Sequence, residues 1–132
     1  TLAAMRARLD APVASGSDKI RILVLGDSGV GKTSLVHLIC QGEELKHPRS
    51  TVGCSINMTL HEPRGNPGSA CFVEFWDVGG SPRFDGSRHV FYSSPADGIL
   101  LVHDLANSVS RRNLDKWRDE WTQAVSDAQG PQ

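Results

Sequence analysis

Gly26-Asp27-Ser28-Gly29-Val30-Gly31-Lys32-Thr33, followed by Ser34, decides how the rest of this chain is read. The spacing G-x-x-x-x-G-K-[ST] stands between a buried-type aliphatic run, Ile20-Arg21-Ile22-Leu23-Val24-Leu25, and an apolar-periodic stretch from Lys32 to Gln41. The glycines let successive amides turn inward, and those amides with the dipole of the helix starting here make a cradle for phosphate. Lys32 then faces the β- and γ-phosphates of a nucleoside triphosphate, and the Thr33 hydroxyl is placed for Mg²⁺. Asp27, Ser28, Gly29, Val30, Gly31, Lys32, Thr33 and Ser34 are therefore the expected nucleotide-binding residues.

Working outward, residues 32 to 41 read as a helix closed by Gly42 in the left-handed cap position. Its apolar residues Leu35, Val36, Leu38, Ile39 and Cys40 cover most of the circumference, so a sheet on one side and a second neighbour on the other are expected. Residues 54–61 and 71–77 are strand-like runs joined by the turn-rich residues 62–69, an antiparallel hairpin. Residues 98–104 make a further buried strand. One final helix is expected from Ser108 toward Asp127, with Leu114, Trp117, Trp121 and Val125 on its apolar stripe. Asp115, Lys116, Asp119 and Glu120 form its solvated face, with Lys116 and Glu120 paired one turn apart. This order gives an α/β fold with a mostly parallel sheet and helices on both faces, whose ligand sits at the carboxyl ends of the strands.

Two further elements converge on that end. Asp77 closes the run Cys71-Phe72-Val73-Glu74-Phe75-Trp76, where a carboxylate can hold Mg²⁺ opposite the phosphate loop. With Val78-Gly79-Gly80 it forms D-x-x-G, in which Gly80 offers an amide to a γ-phosphate. Thr51 lies in the loop Ser50-Thr51-Val52-Gly53, and its hydroxyl completes a metal shell only when a γ-phosphate orders that loop. The expected metal set is thus Thr33, Thr51 and Asp77. His37 and Cys40, one helical turn apart, have no matching ligands elsewhere and read as packing.

The totals restrict the setting. The 132 residues are 39% hydrophobic and fit a single domain, and 15 acidic against 14 basic residues leave a net charge of -1. No global field draws such a chain to nucleic acid or to an anionic membrane, so partners are chosen locally. The odd set Cys40, Cys54 and Cys71 suits free thiols in a reducing cytoplasm. No apolar run is long enough to span a bilayer. Residues 1–18 read as a leader, disordered apart from a short helix over Leu2 to Leu9, and residues 19–132 as the front portion of one domain. The chain starts at Thr1 and ends without a terminal cysteine, so no lipid anchor is visible.

GDSGVGKTSLVHLI, the T-x-G element at Thr51 and WDVGG together resemble the Ras superfamily of small GTPases, on its Rab branch, over residues 19 to 126. The resemblance implies a P-loop NTPase fold of the small-GTPase type, truncated after its third main helix, that takes GTP or GDP with Mg²⁺. It assigns the phosphate and metal roles to Lys32, Thr33, Thr51, Asp77 and Gly80. The family's hydrolytic glutamine follows the D-x-x-G glycine, and here that position is Ser81, backed by Pro82. Serine is too short to orient the attacking water, so Gly80 and Ser81 are catalytic positions with slow turnover. No aromatic stands in Glu43-Glu44-Leu45-Lys46-His47, where the family stacks one on guanine, and its guanine-reading motifs fall beyond Gln132.

The family's effector-binding aromatic triad falls at Ile56, Trp76 and Phe91, and two readings stand side by side. Trp76 and Phe91 form an exposed patch for effector or regulator proteins, or both pack under the switch loop. Three functions follow: a slow guanine-nucleotide switch, a non-cycling interaction module on the same fold, or a P-loop ATPase or kinase. An outer helix face and a strand edge at residues 98–104, if uncovered, would favour self-association.

Overall fold

The aliphatic run before the phosphate loop is the middle of the sheet. In the computed structural model, which describes residues 19–66 and 68–130, Lys19–Leu25 forms β1 with a parallel neighbour on each side. The expected leader, residues 1–18, lies outside the described residues. One neighbour is β3, Cys71–Val78, in the register Ile22↔Phe75 and Val24↔Asp77, and the other is β4, Gly98–Leu101. A strand flanked and covered on both faces needs apolar side chains throughout, which is why Leu23, Val24 and Leu25 are all buried. β2, Cys54–His61, runs antiparallel to β3 from Cys54↔Val78 to His61↔Cys71, so the sheet order is β2-β3-β1-β4. The sheet is mixed and mostly parallel, as the order of elements predicts.

On one face lies α1, Lys32–Gln41, which sets Val36 among Ile22, Val24, Val73 and Phe75. Gly42 closes it at φ 74, the left-handed conformation glycine adopts without strain. The second neighbour expected for this helix is not found among the described residues, and Leu38 stays 49% exposed.

The other face carries α2 (His89–Tyr92), α3 (Ser108–Arg112) and α4 (Leu114–Gln129). Tyr92, Trp117 and Ala124 pack there against Leu23, Leu25 and Val78, with Trp121 and Phe91 half-buried at the margin. Where the sequence predicts one helix from Ser108, the chain divides at Asn113. Asn107 caps α3 by accepting from the amides of Val109 and Ser110, while the Asn113 side chain is drawn to Asp27. The strand expected over residues 98–104 is also shorter. Val102 still donates to the Leu25 carbonyl oxygen at 2.8 Å, but the Asp104 amide donates to Ser110 Oγ at 3.0 Å rather than to a strand.

Candidate functional site

The loop after β1 and the loop after β3 meet at the carboxyl ends of their strands, with the residue 48–51 segment closing the cleft. Lys32 is 6% exposed, and its Nζ donates to the carbonyl oxygens of Gly26 and Asp27, each at 2.9 Å. Two of its three N–H groups thus fix the ammonium inside the loop, leaving one for a ligand. Burial pushes its pKa down, against the pull of Asp77 and Asp27. An anion beside it would offset that desolvation.

Thr33, Thr51 and Asp77 are brought together from α1, the exposed loop and β3. Thr33 Oγ1 and Thr51 Oγ1 are 2.8 Å apart, Thr51 Oγ1 reaches Asp77 Oδ2 at 3.3 Å, and Thr33 donates to the same oxygen. Asp77 is fully buried, and its Oδ1 has no hydrogen-bond partner among the described residues. A buried carboxylate oxygen without a donor is costly unless something else satisfies it. Two hydroxyls and such a carboxylate are a hard, all-oxygen donor set, which fits Mg²⁺.

Backbone contact holds the three segments together. A Cβ on Gly80 would lie 2.3 Å from the Gly26 carbonyl oxygen and 2.7 Å from the Ser28 nitrogen, so only glycine allows this approach. One on Gly79 would lie 2.5 Å from the Thr51 carbonyl oxygen, and the Gly79 amide donates to Gly53 O at 2.8 Å. Between them is a cleft of about 230 Å³ lined by Ser28, Gly29, Gly31, Lys32, Thr33, Ser34, Thr51 and Gly80, with Pro48, Arg49 and Ser50 at its rim. Of these, Pro48 and Arg49 escaped sequence reasoning, although Arg49 is a cation only two positions before Thr51.

Asp27 is not placed as its motif position suggests. Its carboxylate turns away from the cleft and accepts from Trp117 Nε1 at 2.7 Å and from Asn113 Nδ2 at 2.8 Å. Only its backbone remains for a ligand, because a carboxylate facing phosphates would be repelled. Val30 is half-buried and does not line the cleft. Ser81 is extended at ψ 131, as a following proline requires, and its hydroxyl accepts from the Arg83 amide at 3.4 Å. It caps the turn Pro82–Ser87.

The three triad positions separate. Ile56 is 52% exposed on the edge strand, beside Met58, Leu60 and Phe72, which are also exposed. Trp76 is half-buried under the Arg21 guanidinium, 4.3 Å from the ring centre, and donates to Glu74 at 3.2 Å. Phe91 is half-buried beneath Gly53 in the exposed loop. Neither Trp76 nor Phe91 is exposed as a patch, and of the two only Phe91 lies against the switch loop, while Trp76 lies under Arg21. Cys54, at the start of β2, has its thiol pushed up to about 11 by burial and by Asp77, so it is a poor nucleophile.

Glu120 departs from the solvated face of α4, on which Asp115, Lys116 and Asp119 stay exposed. It does not pair with Lys116 but accepts from Arg88 Nε at 2.9 Å, from Arg88 Nη2 at 3.0 Å and from the Tyr92 hydroxyl at 2.8 Å. Arg118 takes the neighbouring carboxylates Asp115 and Asp119 instead. Burial alone would raise the Glu120 pKa, but the bonds from Arg88 and Tyr92 hold it below the usual range. No sequence period signals this contact, which joins residues 32 positions apart.

A central strand, a phosphate loop opening a helix, and a buried carboxylate on the parallel strand beside it define a P-loop nucleotide-binding domain in Ras-like order. The family model described as "Ras of Complex, Roc, domain of DAPkinase" matches residues 21–130. The chain belongs to this family of Ras-like GTPase domains. It is similar to Rab-like protein 3 of Danio rerio, 51% identical over 106 residues covering 76% of this chain and 45% of that relative. For Rab-like protein 3 of Homo sapiens the identity is 48%, covering 76% and 44% of the two chains. Small GTPase LIP1 of Arabidopsis thaliana is 42% identical over 113 residues, 77% of this chain and 32% of that relative. The chain therefore spans less than half the length of these curated relatives.

Proposed function

We propose that this chain is a Mg²⁺-dependent guanine-nucleotide switch with weak intrinsic hydrolysis. The observation that carries the reading is the meeting of Thr33, Thr51 and the orphaned, buried Asp77 carboxylate beside Lys32. In this reading the amides of residues 27 to 33 and Lys32 hold the phosphates, while Thr33, Thr51 and Asp77 hold the metal. Mg²⁺ would supply charge that neutralises the β- and γ-phosphates. Gly80 presents its amide on the γ-phosphate side, and Thr51 follows when its loop is ordered.

Ser81 limits hydrolysis for two reasons. Its side chain is short, and its hydroxyl is already committed to the Arg83 amide. Effector or regulator proteins are proposed to read the 48–53 loop and the exposed apolar edge at Ile56, and the open side of α1 is the surface proposed for self-association. The proposed setting is the cytoplasm, where Cys40, Cys54 and Cys71 stay reduced.

Retention of labelled GTP against labelled ATP, each with Mg²⁺ and with a chelator, tests the reading. GTP held only with Mg²⁺, and ATP not held, is the expected result. Equal retention of ATP would move the chain to the ATPase or kinase reading, and no retention of either would leave a non-cycling interaction module.

A further inference from the structure

We propose that Arg88 is a positioning residue for the γ-phosphate side of the cleft, acting through the backbone of Ser81. This rests on the nucleotide reading given above.

Arg88 lies in the turn between the Pro82–Ser87 segment and α2, yet it is only 2% exposed. A guanidinium so far from solvent must have its donors satisfied. Nε and Nη2 form a two-pronged pair with Glu120 on α4, and Nη2 also reaches Asp85 Oδ1 at 2.6 Å. The remaining directed bond runs from Nη1 to the Ser81 carbonyl oxygen at 3.1 Å. The switch segment after Gly80 is thus tied by a charged hydrogen bond to a helix outside the cleft.

The other side of the guanidinium gives this tie its meaning. It lies 4.5 Å over the Trp117 ring, and Trp117 Nε1 donates to Asp27 in the phosphate loop. The Asp27 carbonyl in turn accepts from Lys32 Nζ. Arg88 therefore sets Ser81 relative to the phosphate loop itself, not merely relative to α4. Ser81 is bonded to Gly80, whose backbone already touches Gly26, Asp27 and Ser28. Releasing the Ser81 carbonyl frees the Gly80 amide to leave the γ-phosphate position, while the loop amides and Lys32 stay in place for the β-phosphate.

This separates two kinds of nucleotide contact and makes the role measurable. In the full chain, release of a fluorescent GDP and of a fluorescent non-hydrolysable GTP analogue is followed in excess Mg²⁺ for the parent, Arg88→Lys and Glu120→Gln. Arg88→Lys keeps the charge but loses the planar fork. It is expected to release the triphosphate about tenfold faster, the scale of one lost charge-assisted hydrogen bond, and the diphosphate less than about twofold faster. Glu120→Gln keeps a hydrogen-bond partner for Arg88, so it gives the same preference at smaller amplitude and carries the test if Arg88→Lys does not fold. Equal acceleration of both nucleotides, tracking a lower melting temperature, would reduce Arg88 to a structural brace and overturn the proposal. A parent that binds neither nucleotide would overturn the underlying reading and this proposal with it.

Discussion

Replacing Gly80 by alanine is the most local way to disturb the meeting of switch segment and phosphate loop. The new Cβ would lie 2.3 Å from the Gly26 carbonyl oxygen and 2.7 Å from both the Asp27 carbonyl carbon and the Ser28 nitrogen. All three are backbone atoms, so no side chain can swing aside. To reach ordinary contact near 3.5 Å the two segments must part by about 1 Å. Overpacking of this kind costs roughly 1–3 kcal/mol, which lowers the melting temperature of a domain this size by about 5–15 °C. Parting the segments withdraws the Gly80 amide from the phosphate, so nucleotide affinity is expected to fall about tenfold, the scale of one lost charge-assisted hydrogen bond. Titration calorimetry with GTP and Mg²⁺ measures the affinity, and differential scanning calorimetry the stability. Gly86→Ala is the control, since nothing lies within 4 Å of a Cβ there. A Gly80→Ala protein with the affinity and melting temperature of the parent would refute the close approach on which the site is built.

Other outcomes follow from neighbouring residues. Ser81→Gln is expected to raise single-turnover hydrolysis only slightly, because Pro82 keeps residue 81 extended, and Ser81→Gln with Pro82→Glu to raise it further. Unaided hydrolysis in this superfamily runs on the order of 10⁻⁴ s⁻¹, so the assay spans hours, and no gain in either variant would show that the carboxamide is not what is missing. Glu120 has a folded pKa held below its ordinary 4.5, so its contribution is present above that value and is lost as pH falls through the lowered one. The melting-temperature gap between parent and Glu120→Gln is therefore expected to narrow from pH 6 toward pH 3, and a constant gap would contradict the Arg88 pairing. Tyr92 is raised by burial and by Glu120, so stability is expected to decline above its ordinary value of 10 and Tyr92→Phe to weaken that decline.

The central strand, the phosphate loop, α1 with its Gly42 cap and the β2–β3 hairpin were legible because each is written in consecutive residues. Period, glycine position and motif spacing carry that information locally. Thr33, Thr51 and Asp77 were legible only as a set, from motifs spaced along the chain, and the fold brings their oxygens together. Asp27 shows the limit of such reading. Its place in the motif says nothing of Trp117 and Asn113, which reach it from 90 and 86 residues away. The same holds for Glu120, whose helical neighbour Lys116 is a plausible partner in an isolated helix but cannot match a buried arginine. The break at Asn113 and the early end of β4 were hidden because tertiary hydrogen bonds, not propensity, decide them.

Lys32→Ala removes the cation on which the phosphate cradle depends. The side chain is buried against the Gly26 and Asp27 carbonyls and has one N–H group left for a phosphate. Its removal deletes a charged donor worth about 2–3 kcal/mol to a bound phosphate, or roughly a hundredfold in affinity. Circular dichroism establishes that the variant is folded, and equilibrium titration with GTP and Mg²⁺ gives its affinity. The phosphate-binding role of Lys32 predicts a folded protein whose nucleotide binding is weakened about a hundredfold or lost. A folded Lys32→Ala protein that binds GTP as tightly as the parent would contradict it.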